Sequence, residues 1–234
     1  MYEGVHADPD GEATVARHAL TAAEYGYEGV VVRNHGGRQA TYDRAAVADA
    51  AGVNVVAGIE LRSDDRSQLA ELVKRYRPAR TLVCVHGGDT GINRFACEQP
   101  RVDVLAHPMQ GDGDVNHVLA KAAARNGVRI EFDLGPVVRD SGGERVQALR
   151  DLRKLRDIVD HYGTPYVVSG NPASHLELRA PRELVAVGEQ AGFDADWLRA
   201  GFREWGELAA RNRERDAESF IEPGVRVEDD ETEP

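Results

Sequence analysis

The amino-acid sequence predicts an α/β fold, a TIM-barrel-like (β/α) barrel with parallel strands. Short β-rich runs alternate with helical patterns along the chain, and this alternation is typical of βαβ units on a parallel sheet. The connections are short, and a length of 234 residues suits one α/β domain better than two smaller ones. We therefore expect a single barrel domain over 1–213, followed by an acidic, disordered C-terminal tail over 214–234.

The elements follow one another in a regular order. Seven strands are predicted from short runs rich in valine, isoleucine and leucine, at 2–7, 29–34, 54–61, 81–86, 102–107, 128–133 and 166–169. Eight helices are predicted from apolar residues at helical spacing, at 13–25, 43–51, 67–76, 90–98, 116–126, 143–161, 181–191 and 195–213. Glycines follow four of these helices, where a left-handed residue commonly ends a helix, at positions 26, 52, 127 and 163.

The net charge of −11 argues at first against a nucleic-acid partner, because domains that bind phosphates are usually basic. Nine of the 40 acidic and two of the 29 basic residues lie in the tail, so the tail carries −7 and the remainder only −4. All but three of the basic residues are arginine, whose planar fork suits phosphate and carboxylate. Composition leaves two interpretations open: contact with phosphates, or adaptation to a salty cytoplasm.

Cysteine usage and hydropathy point to a cytoplasmic protein. Cys84 and Cys97 lie in apolar surroundings, which predicts buried, reduced thiols. The sequence begins without a basic segment followed by an apolar one, and it contains no run of 18 apolar residues. We expect a soluble protein of the cytoplasm with no membrane partner.

Histidines and carboxylates fall at or just after the predicted strands. Because the carboxyl ends of parallel strands meet at one face of a barrel, we expect these side chains to converge there. Imidazole and carboxylate together suit Zn or Mn, but no H-x-H, H-E-x-x-H or C-x-x-C pair is present, so we expect no bound metal. The alternative is a metal site formed by His6, Asp8, His35, Glu60, His86 and His107. Glu131 occupies a comparable strand-end position.

A glycine pair follows the fourth predicted strand, in Val85-His86-Gly87-Gly88-Asp89. The segment predicts either a plain tight turn or an anion held at the amino end of the next helix. No G-x-x-x-x-G-K-[ST], G-x-G-x-x-G or G-x-S-x-G pattern occurs, so neither nucleotide binding nor a serine nucleophile is indicated.

Arginines also cluster in the loop and helix start at 174–184, where Arg179 and Arg182 lie beside the expected site face. They can bind an anion or simply brace the loop. A second group, formed by Arg150, Arg153 and Lys154, shares one face of the helix at 143–161, opposite its leucine seam. This face is either solvated or follows a phosphate backbone.

Several of these motifs, in one order, resemble the archaeal ribonuclease P protein component 3 family. The resemblance runs from the first strand to about position 191 and is carried by the segments 85–89, 92–94, 102–108, 116–121, 130–132 and 174–184. It implies a TIM-barrel-like member of the polymerase and histidinol phosphatase superfamily. The acidity with so little lysine then favours adaptation to a salty cytoplasm, as in a halophilic archaeon. The superfamily's H-x-H motif is His6-Ala7-Asp8 in this chain, so its second histidine is missing, whereas the G-x-E motif is intact as Gly58-Ile59-Glu60.

The resemblance further implies an accessory subunit of ribonuclease P, the ribonucleoprotein endoribonuclease that removes 5' leaders from precursor tRNA. Hydrolysis would belong to the RNA subunit with its bound Mg, so this subunit would have no catalytic residue and no cofactor of its own. Its partners would be ribonuclease P RNA, protein component 2 in a heterotetramer and the other protein subunits, with precursor tRNA contacted indirectly. The alternative is a free-standing metal-dependent phosphoesterase of the same superfamily.

Arginine forks would then serve to contact RNA phosphates and bases. The candidate RNA-binding residues are Arg94, Arg179 and Arg182, with a secondary group of Lys121, Arg150, Arg153 and Lys154.

Overall fold

A computed structural model describes residues 1–216, 220–222 and 225–226. Seven strands form one sheet in chain order, every neighbouring pair is parallel, and the sheet curls into a nearly closed barrel. The predicted fold class is therefore confirmed. The strands are β1 (Tyr2–Val5), β2 (Gly29–Val32), β3 (Asn54–Leu61), β4 (Leu82–His86), β5 (Val104–Ala106), β6 (Arg129–Asp133) and β7 (Tyr166–Ser169).

Helices cover the outside of the sheet, and the eight predicted ones are present within a few residues of their expected bounds. A short additional helix, Gly135–Arg139, follows β6, and its five residues are too few to show helical periodicity. The helices are α1 (Val15–Glu24), α2 (Arg44–Ala51), α3 (Arg66–Tyr76), α4 (Thr90–Glu98), α5 (His117–Asn126), α6 (Gly135–Arg139), α7 (Gly142–Tyr162), α8 (Pro181–Gln190) and α9 (Ala195–Arg215).

Local sequence signals explain where these helices begin and end. Most begin after a short polar side chain that accepts a hydrogen bond from a free amide of the first turn, as Asp65 does from Ser67 and Gln68. The four glycines expected after helix ends all have positive φ. Gly163, for instance, ends α7 at φ +59°, and its N–H donates to the carbonyl of Val159.

The barrel is closed by a helix rather than by an eighth strand. No pairing joins β7 to β1 among the described residues, and α9 packs against both. Trp205 of α9 is fully buried, and its indole N–H donates to the Val168 carbonyl at 3.0 Å. A methyl group on Gly201 would come within 2.4 Å of Val168, and one on Gly206 within 2.3 Å of the Tyr2 ring. These glycines therefore let the helix backbone approach both edges of the sheet.

Apolar side chains fill the space between strands and helices and the lower interior of the barrel. Both cysteines are buried and unpaired, as predicted. Burial raises the pKa of the Cys97 thiol to about 12, which keeps it neutral. No helix in the described part of the chain is long and apolar enough to cross a membrane.

The acidic segment 214–234 falls mostly outside the described residues. Helix α9 continues two residues beyond its predicted end, to Arg215. Two short strands, Phe220–Glu222 and Val225–Arg226, then pair antiparallel. This hairpin was not expected from the sequence, because its few apolar residues show no clear strand pattern. The disorder expected for the rest of the tail stays a prediction.

Candidate functional site at the barrel rim

Four histidines meet at the carboxyl ends of the strands, as the sequence predicts. His6 and His35 stack with ring centroids 5.1 Å apart, His35 and His86 lie 5.4 Å apart, and His86 and His107 lie 4.7 Å apart. The chain leaves β1, β2 and β5 just before His6, His35 and His107, so these rings point across the rim. We refer to this cluster, with the carboxylates beside it, as the rim site.

Glu60 of β3 lies at the centre of the rim site and is fully buried. Its Oε1 atom accepts a hydrogen bond from His86 and lies 3.5 Å from Nε2 of His35 and 3.6 Å from Nε2 of His107. Its Oε2 atom lies 3.6 Å from Nε2 of His6. One carboxylate therefore faces all four imidazoles. The hydrogen bond to Glu60 raises the pKa of His35 above its usual value.

Asp8 does not join the rim site, which corrects the predicted ligand set. The prediction placed Asp8 on the same side as His6 by strand alternation, but β1 ends at residue 5 and the chain then turns. Asp8 is exposed, and Asp10 takes the expected place instead. Its Oδ2 accepts hydrogen bonds from Nδ1 of His6 at 2.9 Å and Nδ1 of His35 at 2.8 Å. Burial opposes ionisation of Asp10, but these histidines outweigh it and lower its pKa.

A buried arginine beneath the histidines is the main feature that the sequence analysis missed. Arg33 is fully buried, and its guanidinium donates to both carboxylate oxygens of Glu131. The bond from Nη2 to Oε2 of Glu131 is 3.1 Å long, and the same Nη2 atom lies 3.0 Å from Oε2 of Glu60. Burial raises the pKa of Glu60, but the Arg33 guanidinium outweighs it and holds that pKa well below the usual value. One permanent cation thus neutralises much of the charge of two buried carboxylates.

Glycines on the neighbouring strands make room for this arginine. A methyl group on Gly4 of β1 would lie 3.0 Å from Cδ of Arg33, and one on Gly58 of β3 would lie 3.6 Å from its Cβ. Both glycines lie inside strands, and these strands flank the one that ends next to Arg33. Glycines in such positions are the sequence signal that could have indicated a buried guanidinium.

The rim site extends to β6 and β7 through residues that were also missed. Oδ2 of Asp133 lies 3.3 Å from Nδ1 of His107 and accepts a hydrogen bond from Nδ2 of Asn171 at 3.3 Å. His107 and Asn171 have left-handed backbones, with φ of +49° and +48°, as strained residues at functional sites often do. Burial lowers the pKa of His107, but the hydrogen bond to Asp133 and the charges of Glu60 and Glu131 raise it to about 9.

The glycine pair after β4 forms a structural turn. A methyl group on Gly87 would lie 2.4 Å from Oδ1 of Asn93, which is fully buried. The Asn93 amide donates to the carbonyls of Pro108 at 2.7 Å and Asp114 at 3.1 Å, and therefore ties the loop after β4 to the loop after β5. This favours the tight-turn interpretation over an anion site.

The rim donors fit a divalent cation in type and spacing. Two triads, His6–Asp10–His35 and His35–Glu60–His86, each place three ligand atoms within 4.8 Å of one another, and imidazole with carboxylate suits Zn or Mn. Oδ2 of Asp10 already accepts hydrogen bonds from His6 and His35. The buried guanidinium forms an ion pair with Oε2 of Glu60, an atom that has no hydrogen-bond partner among the described residues. The expectation that this subunit binds no metal stays a prediction.

Of the first three predicted RNA-binding residues, two contact other residues of this chain and one is unpaired within the described residues. Arg94 on α4 pairs with Glu98 at 2.9 Å, and both are well exposed. Arg179 donates to the Leu176 carbonyl at 2.9 Å, which braces the loop before α8. Arg182, in the first turn of α8, is exposed and has no hydrogen bond or ion pair within the described part of the chain.

In the second group, three of the four cations touch other residues of this chain. Arg150 is exposed and, within the described residues, unpaired. The other contacts are Lys121 Nζ over the Tyr162 ring at 5.2 Å, Arg153 Nε to the Ala191 carbonyl at 3.0 Å, and Lys154 Nζ to Asp114 Oδ1 at 2.7 Å. RNA contact by any of these seven residues stays a prediction.

A buried histidine below the rim should make the fold sensitive to acid. His18 of α1 is fully buried, and burial lowers its pKa to about 4. Between pH 6.5 and 4 the unfolded chain binds a proton there that the folded chain does not, so stability falls as pH falls. Between pH 7 and pH 4.5 both wild type and the His18→Leu variant should lose unfolding free energy. We expect the loss in wild type to be larger by about 2–3 kcal/mol.

Urea unfolding at the two pH values measures this difference. The exposed His117→Leu substitution is the control and should lose as much as wild type. Equal losses in wild type and His18→Leu would show that His18 is not the acid-sensitive group.

The fold and the rim site together identify the class of protein. It is a TIM-barrel-like α/β barrel with histidines and carboxylates at the carboxyl ends of its strands. One chain in a solved structure of archaeal ribonuclease P with mature tRNA matches with a TM-score of 0.83 and 20% identity over all of both chains. Histidinol phosphate phosphatase from Lactococcus lactis, determined with zinc, L-histidinol and phosphate, matches with a TM-score of 0.57 and 12% identity over 82% of this chain and 94% of that one. Both likenesses concern the fold.

The sequence then identifies the family. The family model described as RNase P subunit p30 matches residues 2–217, and the chain belongs to this family. Ribonuclease P protein component 3 of Haloarcula marismortui is 63% identical over 98% of both chains. The same component of Methanosarcina acetivorans is 34% identical over 95% of this chain and 93% of its own. The resemblance seen in the sequence motifs is confirmed, and several of the most similar relatives come from halophilic archaea.

Proposed function

We propose that the protein is an accessory subunit of ribonuclease P and takes part in removing the 5' leader of precursor tRNA. The observation that carries the proposal is the 63% identity, over 98% of both chains, with ribonuclease P protein component 3 of Haloarcula marismortui. The similarity extends along the whole chain and is not confined to one segment.

The charge balance of the rim site favours a structural rather than a hydrolytic role. A hydrolytic metal centre needs carboxylates free to bind the ion and an open position for water. Here Glu60 and Glu131 are buried against Arg33, and Asp10 is occupied by two histidines. We infer that hydrolysis belongs to the RNA subunit with its Mg, and that this subunit binds no cofactor.

The partners in this proposal are ribonuclease P RNA, protein component 2 in a heterotetramer, and the other protein subunits, with precursor tRNA contacted indirectly. Among the predicted RNA-binding residues, Arg182 and Arg150 are the best placed, since both are exposed and unpaired in the described part of the chain. A cytoplasmic location is part of the same proposal.

Reconstitution tests the proposed function. Precursor tRNA cleavage is measured over a series of Mg concentrations, with the cognate RNA and all protein subunits or with this chain left out. We expect omission to slow cleavage and raise the Mg requirement, because RNA that lacks bound cationic side chains needs more Mg to fold. Adding the purified chain back should restore both. If omission changes neither quantity, the proposal is wrong.

The two ligand triads at the rim support a second candidate function, that of a free-standing metal-dependent phosphoesterase. In that case the purified chain would contain stoichiometric Zn, Mn or Fe and hydrolyse phosphate esters, and His86→Ala would abolish the activity. Elemental analysis and a phosphatase assay on the preparation used for reconstitution separate the two functions.

A further inference from the structure

Two exposed arginines, absent from the predicted RNA-binding set, lie at the edge of the rim site. Arg38 belongs to the loop after β2, and Arg62 directly follows β3. Both line one open cavity of about 420 Å³, together with Asp10, His35 and Leu72. Neither guanidinium makes a hydrogen bond or ion pair with any residue in the described part of the chain. The cavity therefore contains two cations whose donors are all available to a ligand.

The carboxylate in the cavity wall does not neutralise these arginines. Asp10 accepts three hydrogen bonds through Oδ2, from His6 and from both the ring and the backbone N–H of His35. Its charge is balanced by these two histidines, and it forms no ion pair with Arg38 or Arg62. Asp64 is exposed nearby and forms no ion pair with either arginine.

Two residues without side chains, Gly36 and Gly37, form part of the cavity wall. The turn that ends in Arg38 passes through Gly36 and Gly37, and a methyl group on Gly37 would meet no atom within 4 Å. The Gly37 N–H has no hydrogen-bond partner among the described residues, whereas the Arg38 N–H donates to the His35 carbonyl at 2.8 Å. A ligand in the cavity can therefore approach the backbone at Gly37.

We propose that Arg38 and Arg62 bind a backbone phosphate of RNA in this cavity. A guanidinium fork matches two phosphate oxygens and is weakly hydrated, which suits binding at high salt. A cavity of about 420 Å³ accepts a group the size of one nucleotide. The proposal rests on the proposed function and identifies a contact surface at the edge of the rim site.

The test compares two arginine pairs in the full chain, each assembled with the RNA and the other protein subunits. Arg38→Ala/Arg62→Ala removes the proposed contacts. Arg101→Ala/Arg125→Ala removes the same charge from the opposite end of the barrel, where both arginines are exposed and, within the described residues, unpaired. The Kd of each chain for the RNA is measured over a series of KCl concentrations, and urea unfolding checks that each variant folds.

We expect the Arg38/Arg62 variant to bind about 10- to 100-fold more weakly than the control pair. We also expect its plot of log Kd against log salt to be shallower by about one unit, the effect of losing one phosphate contact. Equal Kd values for the two pairs would overturn the proposal. Weakened binding to component 2 with an unchanged Kd for RNA would also overturn it.

Titration of the free chain with inorganic phosphate identifies a small-anion site. If the Arg38/Arg62 variant loses phosphate binding but keeps its affinity for RNA, the cavity serves a free phosphate compound and the proposal fails. The reconstitution experiment distinguishes failure of the proposed function from failure of the cavity assignment. When omission of the chain impairs cleavage but the two arginine pairs behave alike, only the cavity assignment is wrong.

Discussion

Replacing Arg33 by methionine should lower the free energy of unfolding by about 3–5 kcal/mol. The substitution removes the buried cation and leaves Glu60 and Glu131, both buried, without their main counter-charge. A buried carboxylate without a partner must be protonated or draw water into the core, and both cost stability. Urea unfolding in concentrated KCl measures the loss.

Two control variants separate lost charge pairing from lost packing. Arg33→Met/Glu60→Gln/Glu131→Gln, which removes the opposing charges as well, should recover a large part of the stability. Arg38→Met changes an exposed arginine and should be nearly neutral. If the triple variant is no more stable than Arg33→Met, the guanidinium contributes through packing and the charge-balance explanation is wrong.

Trp205→Ala should destabilise the protein by about 3–5 kcal/mol. Trp205 is fully buried between α9 and the interior face of the sheet, where it packs with Val167 and Leu208. Truncation leaves a large cavity and removes the donor to the Val168 carbonyl, which lies on the edge of the sheet. Urea unfolding again provides the measurement.

Trp205→Phe is the matched substitution for this position. It keeps an aromatic ring but cannot donate to Val168, so its loss should be well below that of the alanine variant. Trp197→Ala, on the outer part of α9, should also cost less, because Trp197 is only partly buried. Equal losses for Trp205→Ala and Trp205→Phe would mean that the hydrogen bond, not the volume, stabilises the closure.

Most of the fold could be predicted because its signals are local. Alternating β-rich and helical runs, capping residues such as Asp43 and Asp65, and the helix-ending glycines all act within a few residues of their position. The closure by α9 could not be predicted in the same way. It depends on Gly201 and Gly206 meeting β7 and β1, contacts that join positions far apart in the chain.

The candidate site was predictable where a residue lies at a strand end and not where a turn intervenes. Glu60 and His86 belong to strands, and their side chains converge as expected. Asp10 was missed in favour of Asp8 because strand alternation no longer applies once the chain has left β1. Arg33 was missed because its own sequence neighbours do not show whether its partner is a carboxylate or solvent, and the indicative glycines, Gly4 and Gly58, lie on other strands.

The sequence also could not show which surface cations are paired in the folded protein. Their positions on helices were largely predictable, but whether a guanidinium is free depends on its neighbours in space. Arg153 and Lys154 are held by the Ala191 carbonyl and by Asp114, residues at least 38 positions away in the sequence. Arg38 and Arg62 lie on loops with no helical pattern, and only the folded barrel brings them to one cavity.

Closure by α9 also dictates the order in which a newly made chain can finish folding. β1 is made long before the helix that covers its edge, which is completed only when residue 215 has been added. Until then β1, and β7 once it is made, lack the helix that covers their edges, and the interior between them lacks its tryptophan. We therefore expect nascent chains that stop before α9 to depend on chaperones to remain unaggregated.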